Sequence, residues 1–401
     1  MSLMKNLTDN RAGSVGVAVL GVGCLCALGV NHLECMTNLF RGVPTSISLP
    51  KFSPDSSAIY PVFEIDDSRV PWLEHLQDLG RTAQLAVVAA SEALDDAGIA
   101  PDYLAGKRVG VCMGTTVGNA MNNEEFYRQY RLGERPDMFE MDRYFRSNPA
   151  EVIAREFQLQ GPVMTVANAC SSGTDAIGLA LSWLKADLCD IVLAGGCDAL
   201  CYISYLGFAS LMISSEALCT PFDRNRKGLN LGEGAAVLVL GKANGNINEQ
   251  CIVSSYASAC DAYHLTAPHP EGSGLKKAVA EAMDLAGITK GKIAFINSHG
   301  TGTWDNDQVE MQVFAEMFPK TSYFSVKGCT GHTLGAAGSI EAAITVGCLL
   351  KGEVPASAGF SDLPEGMENP PVRTLSSFTG DYALSQSLAF GGSNSVVIFK
   401  R

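Results

Sequence analysis

The sequence predicts an α/β protein built from two similar halves. Short apolar runs rich in β-branched residues alternate with alanine-rich runs, which is typical of buried strands joined by helices. The chain also repeats, twice, the order of strand, small-residue loop, reactive side chain and alanine-rich helix. With 401 residues, 47% of them hydrophobic and only 18% charged, it can bury an extensive core.

The individual elements follow from the apolar periodicity. Six runs are predicted to be strands: Val15–Leu20, Val109–Met113, Ile191–Ala194, Ala235–Leu240, Ala294–Ile296 and Ser395–Phe399. Four longer runs are predicted to be helices: Arg81–Gly98, Thr174–Ala186, Gly274–Gly287 and Ala336–Leu350. Two of these helices end at a glycine, which is a common way for a helix to stop.

The internal repeat centres on two loops. In the first, the apolar pair Thr165–Val166 leads through a small-residue loop to Cys170 and a helix. In the second, Ser325–Val326 leads through a glycine-containing loop to His332 and another helix. We therefore predict two structurally similar halves that meet at one site.

The boundary between the halves is predicted in a polar, glycine-rich stretch near the middle of the chain. Residues 1–245 then form the half that carries Cys170. Residues 246–401 form the half that carries His299 and His332.

Composition excludes several classes of protein. The formal net charge of -13, with no block of lysine or arginine, argues against a nucleic-acid partner. The 13 cysteines show no metal-ligand spacing, and Cys24 and Cys26 are too close for a usual zinc knuckle, so we expect no metal site. Mostly buried free thiols in a reducing, cytoplasmic setting are the simplest interpretation.

The apolar stretch Val15–Val30 raises the question of a signal peptide or membrane span. Four glycines interrupt it and it is short for a bilayer. We therefore predict a buried first strand followed by a glycine turn, and no membrane span.

Three reactive residues stand at the ends of predicted strands. Cys170 opens a helix, where unpaired backbone N–H groups and the helix dipole favour an anion, so its thiolate is expected to form readily at neutral pH. His299 and His332 each follow a strand in a loop of glycine and threonine. Because ligands gather at the carboxyl ends of strands in α/β sheets, we expect the three side chains to converge.

The chain resembles the β-ketoacyl-acyl-carrier-protein synthases in three separated motifs. They are the nucleophile motif at Asn168–Gly173, the first histidine motif at His299–Thr303, and the lysine and second histidine motif at Lys327 and Gly331–His332. Further matches are Pro221–Asp223 with Arg226, Gly232–Ala235 and Phe390–Asn394. The resemblance runs from about Val15 to about Phe399, essentially the whole chain.

The resemblance implies a thiolase-like layered αβαβα fold made of two duplicated halves, each with a five-stranded sheet. It also implies a homodimer and an acyl carrier protein that bears the acyl and malonyl groups. No metal or redox cofactor is implied. The product would be a 3-oxoacyl group on the carrier, in fatty acid or polyketide-type synthesis.

In that family's reaction Cys170 would take an acyl group from a thioester, and a malonyl thioester would then enter. His299 and His332 would donate hydrogen bonds to the malonyl thioester oxygen and stabilise the enolate that forms as carbon dioxide leaves. The resulting carbanion would attack the acyl group on Cys170.

Other roles are also implied by the resemblance. Lys327 would orient and tune His332, and Glu310 would pair with Lys327. The backbone N–H groups of Cys170 and Phe390 would hold the oxyanion, and the Phe390 side chain would gate acyl access.

Three alternatives differ at identifiable residues. A non-decarboxylating thiolase would have a second cysteine near the C-terminal glycine motif, where this chain reads Ala389–Gly392. A condensing enzyme that starts chains from coenzyme A usually has asparagine in place of His332. A non-catalytic chain-length partner typically lacks the nucleophile, here Cys170. Trp304 stands where the family usually has proline, which is expected to affect access to the pocket.

Overall fold

The computed structural model describes residues 16–43, 45, 47–50, 59–118, 123–243 and 249–401. Within them the first half contributes five strands: β1 (Val17–Cys26), β2 (Val109–Gly114), β3 (Val163–Val166), β4 (Ile191–Asp198) and β5 (Gly234–Lys242). The second half contributes β6 (Cys251–Cys260), β7 (Ile293–Asn297), β8 (Ser322–Phe324), β9 (Glu353–Val354), β10 (Ser376–Ser377), β11 (Tyr382–Ala389) and β12 (Ser393–Lys400).

The helices of the described residues divide in the same way. The first half contains α1 (His32–Arg41), α2 (Arg81–Asp96), α3 (Pro101–Leu104), α4 (Glu124–Arg131), α5 (Phe139–Arg146), α6 (Pro149–Glu156), α7 (Ser172–Lys185) and α8 (Tyr202–Ser210). The second half contains α9 (Ser273–Ala286), α10 (Trp304–Met317), α11 (Lys327–Thr330) and α12 (Ala337–Lys351).

The two halves have the same strand topology. The sheet order is β3-β2-β4-β5-β1 in the first half and β8-β7-β11-β12-β6 in the second, each read from its outer edge. In both, the three outer strands are parallel and the next two pairings are antiparallel. The duplication predicted from the sequence repeat is therefore present in the fold.

The sheets differ from the expectation in one respect. Instead of two separate five-stranded sheets, the strands form one ten-stranded sheet, because the first residues of β1 pair with both β5 and β6. The bridging pairs are Val17 with Val253, Ala18 with Ile252 and Val19 with Cys251.

The layers are set by the two central helices. α7 and α12 contact each other and strands of both halves, so they lie between the two five-stranded parts of the sheet. α2 covers the outer face of the first half, and α9 with α10 covers that of the second. This gives the thiolase-like α/β/α/β/α arrangement, with a hydrophobic core on either side of each sheet layer.

All six predicted strands and four predicted helices are present, and the main error concerns β1. The strand continues to Cys26 through the glycines that suggested a turn. A Cβ on Gly23 would lie 2.0 Å from the Ala89 carbonyl oxygen, and one on Gly21 would lie 2.3 Å from that of Ala93. These glycines therefore allow α2 to pack closely on the strand. The predicted boundary at residue 245 falls among residues 244–248, outside the described residues.

One described segment, Leu334–Lys351, is long and apolar enough to cross a membrane by composition. It contains α12 and is 83% buried inside the protein. Its apolar character is explained by its position between the two halves.

The crossing of the central helices requires glycine. A Cβ on Gly338 of α12 would lie 2.1 Å from Thr174 Oγ1 of α7 and 2.7 Å from Ser387 Oγ. Gly173 of α7 is also closely packed, since its Cβ would lie 2.8 Å from the Gly335 carbonyl oxygen.

We predict that Gly338→Ala destabilises the protein by about 1–3 kcal/mol, because the added methyl group overpacks this crossing. Gly207→Ala in α8 is the matched control, since no atom beyond the adjacent backbone of its own helix lies within 4 Å of its Cβ position. The control is expected to be neutral or stabilising by up to about 1 kcal/mol, from helix propensity alone. Urea unfolding of both variants measures the difference, and equal stabilities would contradict the packing argument.

Candidate active site

Cys170 lies in a tight loop between β3 and α7. Ala169, just before it, has φ 47°, the left-handed region that residues other than glycine rarely adopt. The Ser172 hydroxyl closes the loop, because it accepts a hydrogen bond from Asn168 N–H (2.8 Å) and donates one to the Ala169 carbonyl (2.6 Å). The resulting sharp turn presents the cysteine side chain to a cavity.

This cavity, of about 250 Å³, brings the three predicted reactive residues together. Cys170, His299 and His332 all line it, although they come from the loops that follow β3, β7 and β8. The two imidazole rings are 5.2 Å apart between centroids and meet edge to face. All three residues are buried.

Lys327 fixes the tautomer of His299. Its Nζ lies 3.2 Å from His299 Nδ1 and 2.5 Å from the His299 carbonyl oxygen. Because an ammonium group can only donate, Nδ1 must accept, and the ring proton is therefore on Nε2. His299 thus presents an N–H donor on the side away from Lys327.

His332 has the same tautomer for a different reason. The backbone N–H of Leu334 donates to His332 Nδ1 at 3.2 Å, which again leaves the ring proton on Nε2. The loop is held by backbone bonds from His332 N–H to the Asn230 carbonyl (2.8 Å) and from Gly232 N–H to the His332 carbonyl (3.0 Å). The expectation that Lys327 orients His332 is wrong, since the lysine contacts His299 and a main-chain amide orients His332.

Both histidines are neutral at physiological pH. Burial lowers the pKa of His299 and of His332 well below the usual value, and the nearby Lys327 ammonium lowers each further. The site therefore contains two uncharged N–H donors. Such donors can stabilise a developing oxyanion.

The predicted pairing of Glu310 with Lys327 is also wrong. The carboxylate that contacts Lys327 Nζ belongs to Glu341 of α12. Glu310 instead accepts the backbone N–H groups of His299 (2.8 Å) and Gly300 (2.6 Å), and so shapes the histidine loop. Burial raises the pKa of Glu310 and of Glu341 to about 7, and the Lys327 ammonium opposes the shift at both.

Phe390 lies where the resemblance implies. Its backbone N–H is directed at the Cys170 sulfur, and its ring stacks on Phe208 with centroids 5.6 Å apart. Both aromatic rings line the cavity, and Phe208 also approaches the His332 ring. The main chain of Phe390 can therefore donate to an oxyanion at Cys170 while its side chain borders the acyl space.

The Cys170 thiol differs from the sequence-based expectation. Burial raises its pKa to about 12, although Lys327 and the Phe390 N–H act in the opposite direction. A helix dipole contributes at most about 2 kcal/mol to such a charge, roughly 1.5 pKa units. Because Cys170 also precedes the first residue of α7 by two positions, burial outweighs the dipole and the unloaded enzyme holds a thiol.

Two buried carboxylates of the site were not predicted. Glu341 is the lone acidic residue of the mostly apolar helix α12, a pattern that could have identified it. Asp198 ends β4 and accepts hydrogen bonds from Thr116 N–H (2.8 Å) and Gly335 N–H (2.6 Å), which joins the two halves beside Cys170. Its position at the carboxyl end of a strand was the available signal.

Trp304 lies at the mouth of the cavity, where the sequence departs from the family pattern. The residue is 57% exposed, and the Arg226 guanidinium carbon lies over its ring, 4.1 Å from the centroid. Arg226 is buried and donates to the carbonyl groups of Asp223 and Trp304. The indole is therefore held in place as part of the entrance.

The fold and the buried cysteine with two neutral histidines define a thiolase-fold enzyme. Residues 15–245 match the family model described as the N-terminal domain of beta-ketoacyl synthase, and residues 250–361 match the corresponding C-terminal domain. The chain belongs to the β-ketoacyl synthase family.

Individual relatives match over nearly their whole length. A 3-oxoacyl-[acyl-carrier-protein] synthase 2 of Staphylococcus aureus is 29% identical over 97% of this chain and 99% of its own. A putative mitochondrial 3-oxoacyl-[acyl-carrier-protein] synthase of Schizosaccharomyces pombe is 30% identical over 96% of this chain and 99% of its own. This chain also superimposes on a chain from the structure of a ketosynthase in complex with its chain length factor, from Xenorhabdus doucetiae. The TM-score is 0.87 at 28% identity, and the match covers 96% of this chain and 98% of the other.

We predict that alkylation of Cys170 by iodoacetamide accelerates about tenfold per pH unit from pH 7 to 9, with no plateau. The physical reason is that a thiol with a raised pKa remains protonated over this range, so its small thiolate fraction grows in proportion to hydroxide. Peptide mass spectrometry gives the alkylation rate at Cys170. Alkylation of the exposed Cys260 in the same sample confirms that the reagent is active. A plateau below pH 8 would mean that the helix terminus overcomes burial.

Proposed function

We propose that this enzyme joins an acyl group held on Cys170 to a malonyl group on an acyl carrier, with loss of carbon dioxide. The product is a 3-oxoacyl-carrier, in fatty acid or polyketide-type synthesis. The observation that carries the proposal is the pair of neutral Nε2–H donors, His299 and His332, beside a buried cysteine.

The first half-reaction loads the enzyme. The Cys170 sulfur attacks the thioester carbonyl, the carrier thiolate leaves, and the thiol proton goes to that leaving sulfur. The backbone N–H groups of Cys170 and Phe390 hold the tetrahedral oxyanion. Both the thiol of the unloaded enzyme and the sulfur of the acyl-enzyme are neutral, as their burial favours.

The second half-reaction forms the carbon-carbon bond. The malonyl thioester oxygen accepts hydrogen bonds from His299 and His332, and the bond to the carboxylate breaks to release carbon dioxide. The enolate carbon then attacks the acyl carbonyl on Cys170, and the Cys170 sulfur leaves as a thiolate that takes up one proton from solvent to restore the thiol. No metal or redox cofactor is required, since decarboxylation itself generates the carbanion.

The site distinguishes this proposal from its alternatives. A non-decarboxylating thiolase needs a second cysteine, whereas Cys170 is the one cysteine among the described residues that line the cavity. A non-catalytic chain-length partner has no use for the Lys327 and Glu341 pair that positions His299. The presence of His332 argues against a coenzyme A-dependent starter enzyme.

We further propose a cytoplasmic homodimer. β3 is an outer edge strand on which Val163 and Met164 are 39% and 45% exposed, and apolar edge strands are normally covered by a partner. Exposed aromatic side chains of α4 and α5, such as Tyr130 and Phe145, support an additional covered surface. Free cysteines, buried except for Cys260, suit a reducing compartment.

We predict that His299→Ala and His332→Ala each lower malonyl-carrier decarboxylation by about a hundredfold or more, while acyl loading falls much less. Each variant removes an enolate donor but leaves the Cys170 loop and both backbone donors intact. His75→Ala is the matched control, because His75 is exposed and pairs with Glu156 away from the cavity. Carbon dioxide release measures decarboxylation, and the intact mass of the protein measures acyl loading.

Cys170→Gln provides the complementary variant, since its amide resembles an acylated cysteine in shape and charge. It is expected to release carbon dioxide without forming an acyl-enzyme or condensing. Undiminished decarboxylation in both histidine variants would exclude the two-donor mechanism.

The carrier requires a basic surface on a protein of net charge -13. Lys227 is exposed and lines the cavity mouth, and Arg224 is exposed nearby in sequence. Arg128 is paired with Glu125, and Lys51 lies outside the described residues. Lys227 and Arg224 are therefore the best candidates for contact with an acidic carrier.

We predict that Lys227→Glu combined with Arg224→Glu raises KM for carrier-bound substrate severalfold, and more strongly at low salt. A small pantetheine thioester should be processed almost unchanged, since it needs no protein contact. Arg41→Glu is the control, because Arg41 is an exposed cation at the end of α1, outside the cavity lining. Equal losses with both substrates would place these residues in the pocket instead of a docking surface.

A further inference from the structure

Three buried cysteines form a cluster that the condensation reaction does not use. Cys24 and Cys26 lie on the same face of β1, and Cys35 lies in the first turns of α1. Their sulfur atoms are all within 4.8 Å of one another, and the sulfurs of Cys26 and Cys35 are 3.8 Å apart. All three side chains are essentially inaccessible to solvent.

We propose that Cys24, Cys26 and Cys35 bind one thiophilic d10 metal ion, and that the ion is Cu(I). Thiolate sulfur is a soft ligand that selects ions of this class. The sequence spacing did not indicate the site, because its third ligand comes from a helix that the loop after β1 folds back onto the strand.

The distances suit three-coordinate binding. A thiolate sulfur lies about 2.3 Å from a small d10 ion, so three coplanar sulfurs around one ion lie about 4.0 Å apart. The Cys26–Cys35 separation of 3.8 Å is close to that value. Among the described residues the group has no fourth cysteine, histidine or carboxylate, whereas structural zinc usually has four ligands. Three sulfurs without a fourth donor favour Cu(I).

The thiols are also held in place before an ion binds. The Cys35 thiol donates to the Gly29 carbonyl at 3.4 Å, and its sulfur lies 3.8 Å from that of Cys26. Metal binding would displace the thiol protons, so that each sulfur becomes a thiolate ligand.

A cavity lies beside the cluster. It has a volume of about 130 Å³ and is lined by Cys26 and the loop that follows it, with Asp66 and Arg69 at its other side. The cluster is therefore next to a cavity, although the Cys26 side chain is itself buried. Once bound, the ion would tie α1 to β1, and α1 already contacts α12 through the 3.1 Å contact between His32 Nε2 and the Ala343 carbonyl.

The test uses the full chain in a Cys170→Ala background, so that the active-site thiol and its histidines do not form a competing site. Reduced, metal-free protein is titrated anaerobically with Cu(I) against a chromophoric Cu(I) chelator. We expect one tightly bound ion per chain. Cys24→Ala, Cys26→Ala and Cys35→Ala should each weaken binding by about a hundredfold or more.

Cys112→Ala and Cys251→Ala are the matched controls, because both replace buried cysteines outside the cluster. They should retain the parent affinity. Cu(I) should raise the melting temperature of the parent and controls but not of the three cluster variants. Loss of binding in a control as well, or retention in all three cluster variants, overturns the assignment.

X-ray absorption spectroscopy on the Cu(I)-loaded parent protein identifies the ligands even if a cluster variant fails to fold. Three sulfur neighbours at about 2.3 Å are expected. Nitrogen ligands, two-sulfur coordination or tighter binding of Zn(II) than of Cu(I) would overturn the proposal.

Discussion

The buried ammonium group of Lys327 is the interaction on which the active site depends. It contacts Glu341, the His299 ring and the His299 carbonyl at once, and thereby joins α11, α12 and the loop after β7. Burying such a charge costs several kcal/mol, which the adjacent carboxylate offsets. Burial lowers the pKa of both histidines, and the same charge lowers it further, while at Cys170 the charge opposes the effect of burial. One side chain thus sets the tautomer of one donor and helps to keep both donors neutral.

Much of the fold could be predicted because its signals are local. Apolar runs and helix-ending glycines identified the main elements, and the repeated strand-loop-helix order identified the duplication. The error at β1 shows where local signals end, because Gly21 and Gly23 look like turn residues but are needed for close packing against α2. The joining of two sheets into one likewise depends on the pairing of β1 with β6, a contact between distant segments.

The active site likewise combines residues with local sequence signals and contacts between distant segments. Cys170, His299 and His332 could be predicted because each occupies a recognisable loop at a strand end. The partners of Lys327 could not be predicted from the sequence. Glu310 and Glu341 are both acidic residues in helices, and only the three-dimensional path of the chain decides which of them reaches the ammonium group. The pKa of Cys170 was misjudged because the helix terminus is visible in the sequence, whereas the depth of burial is not.

The glycine-mediated crossing of α7 and α12 has a consequence for how this protein tolerates change. The reacting groups lie around the innermost layer, where the two central helices are in close contact, and α2 and α9 lie outside it. Substitutions on the solvent faces of those outer helices can therefore accumulate without shifting the reacting atoms. The protein's exterior is free to diverge or to be redesigned for new assemblies, while the chemistry remains tied to a few glycines at its centre.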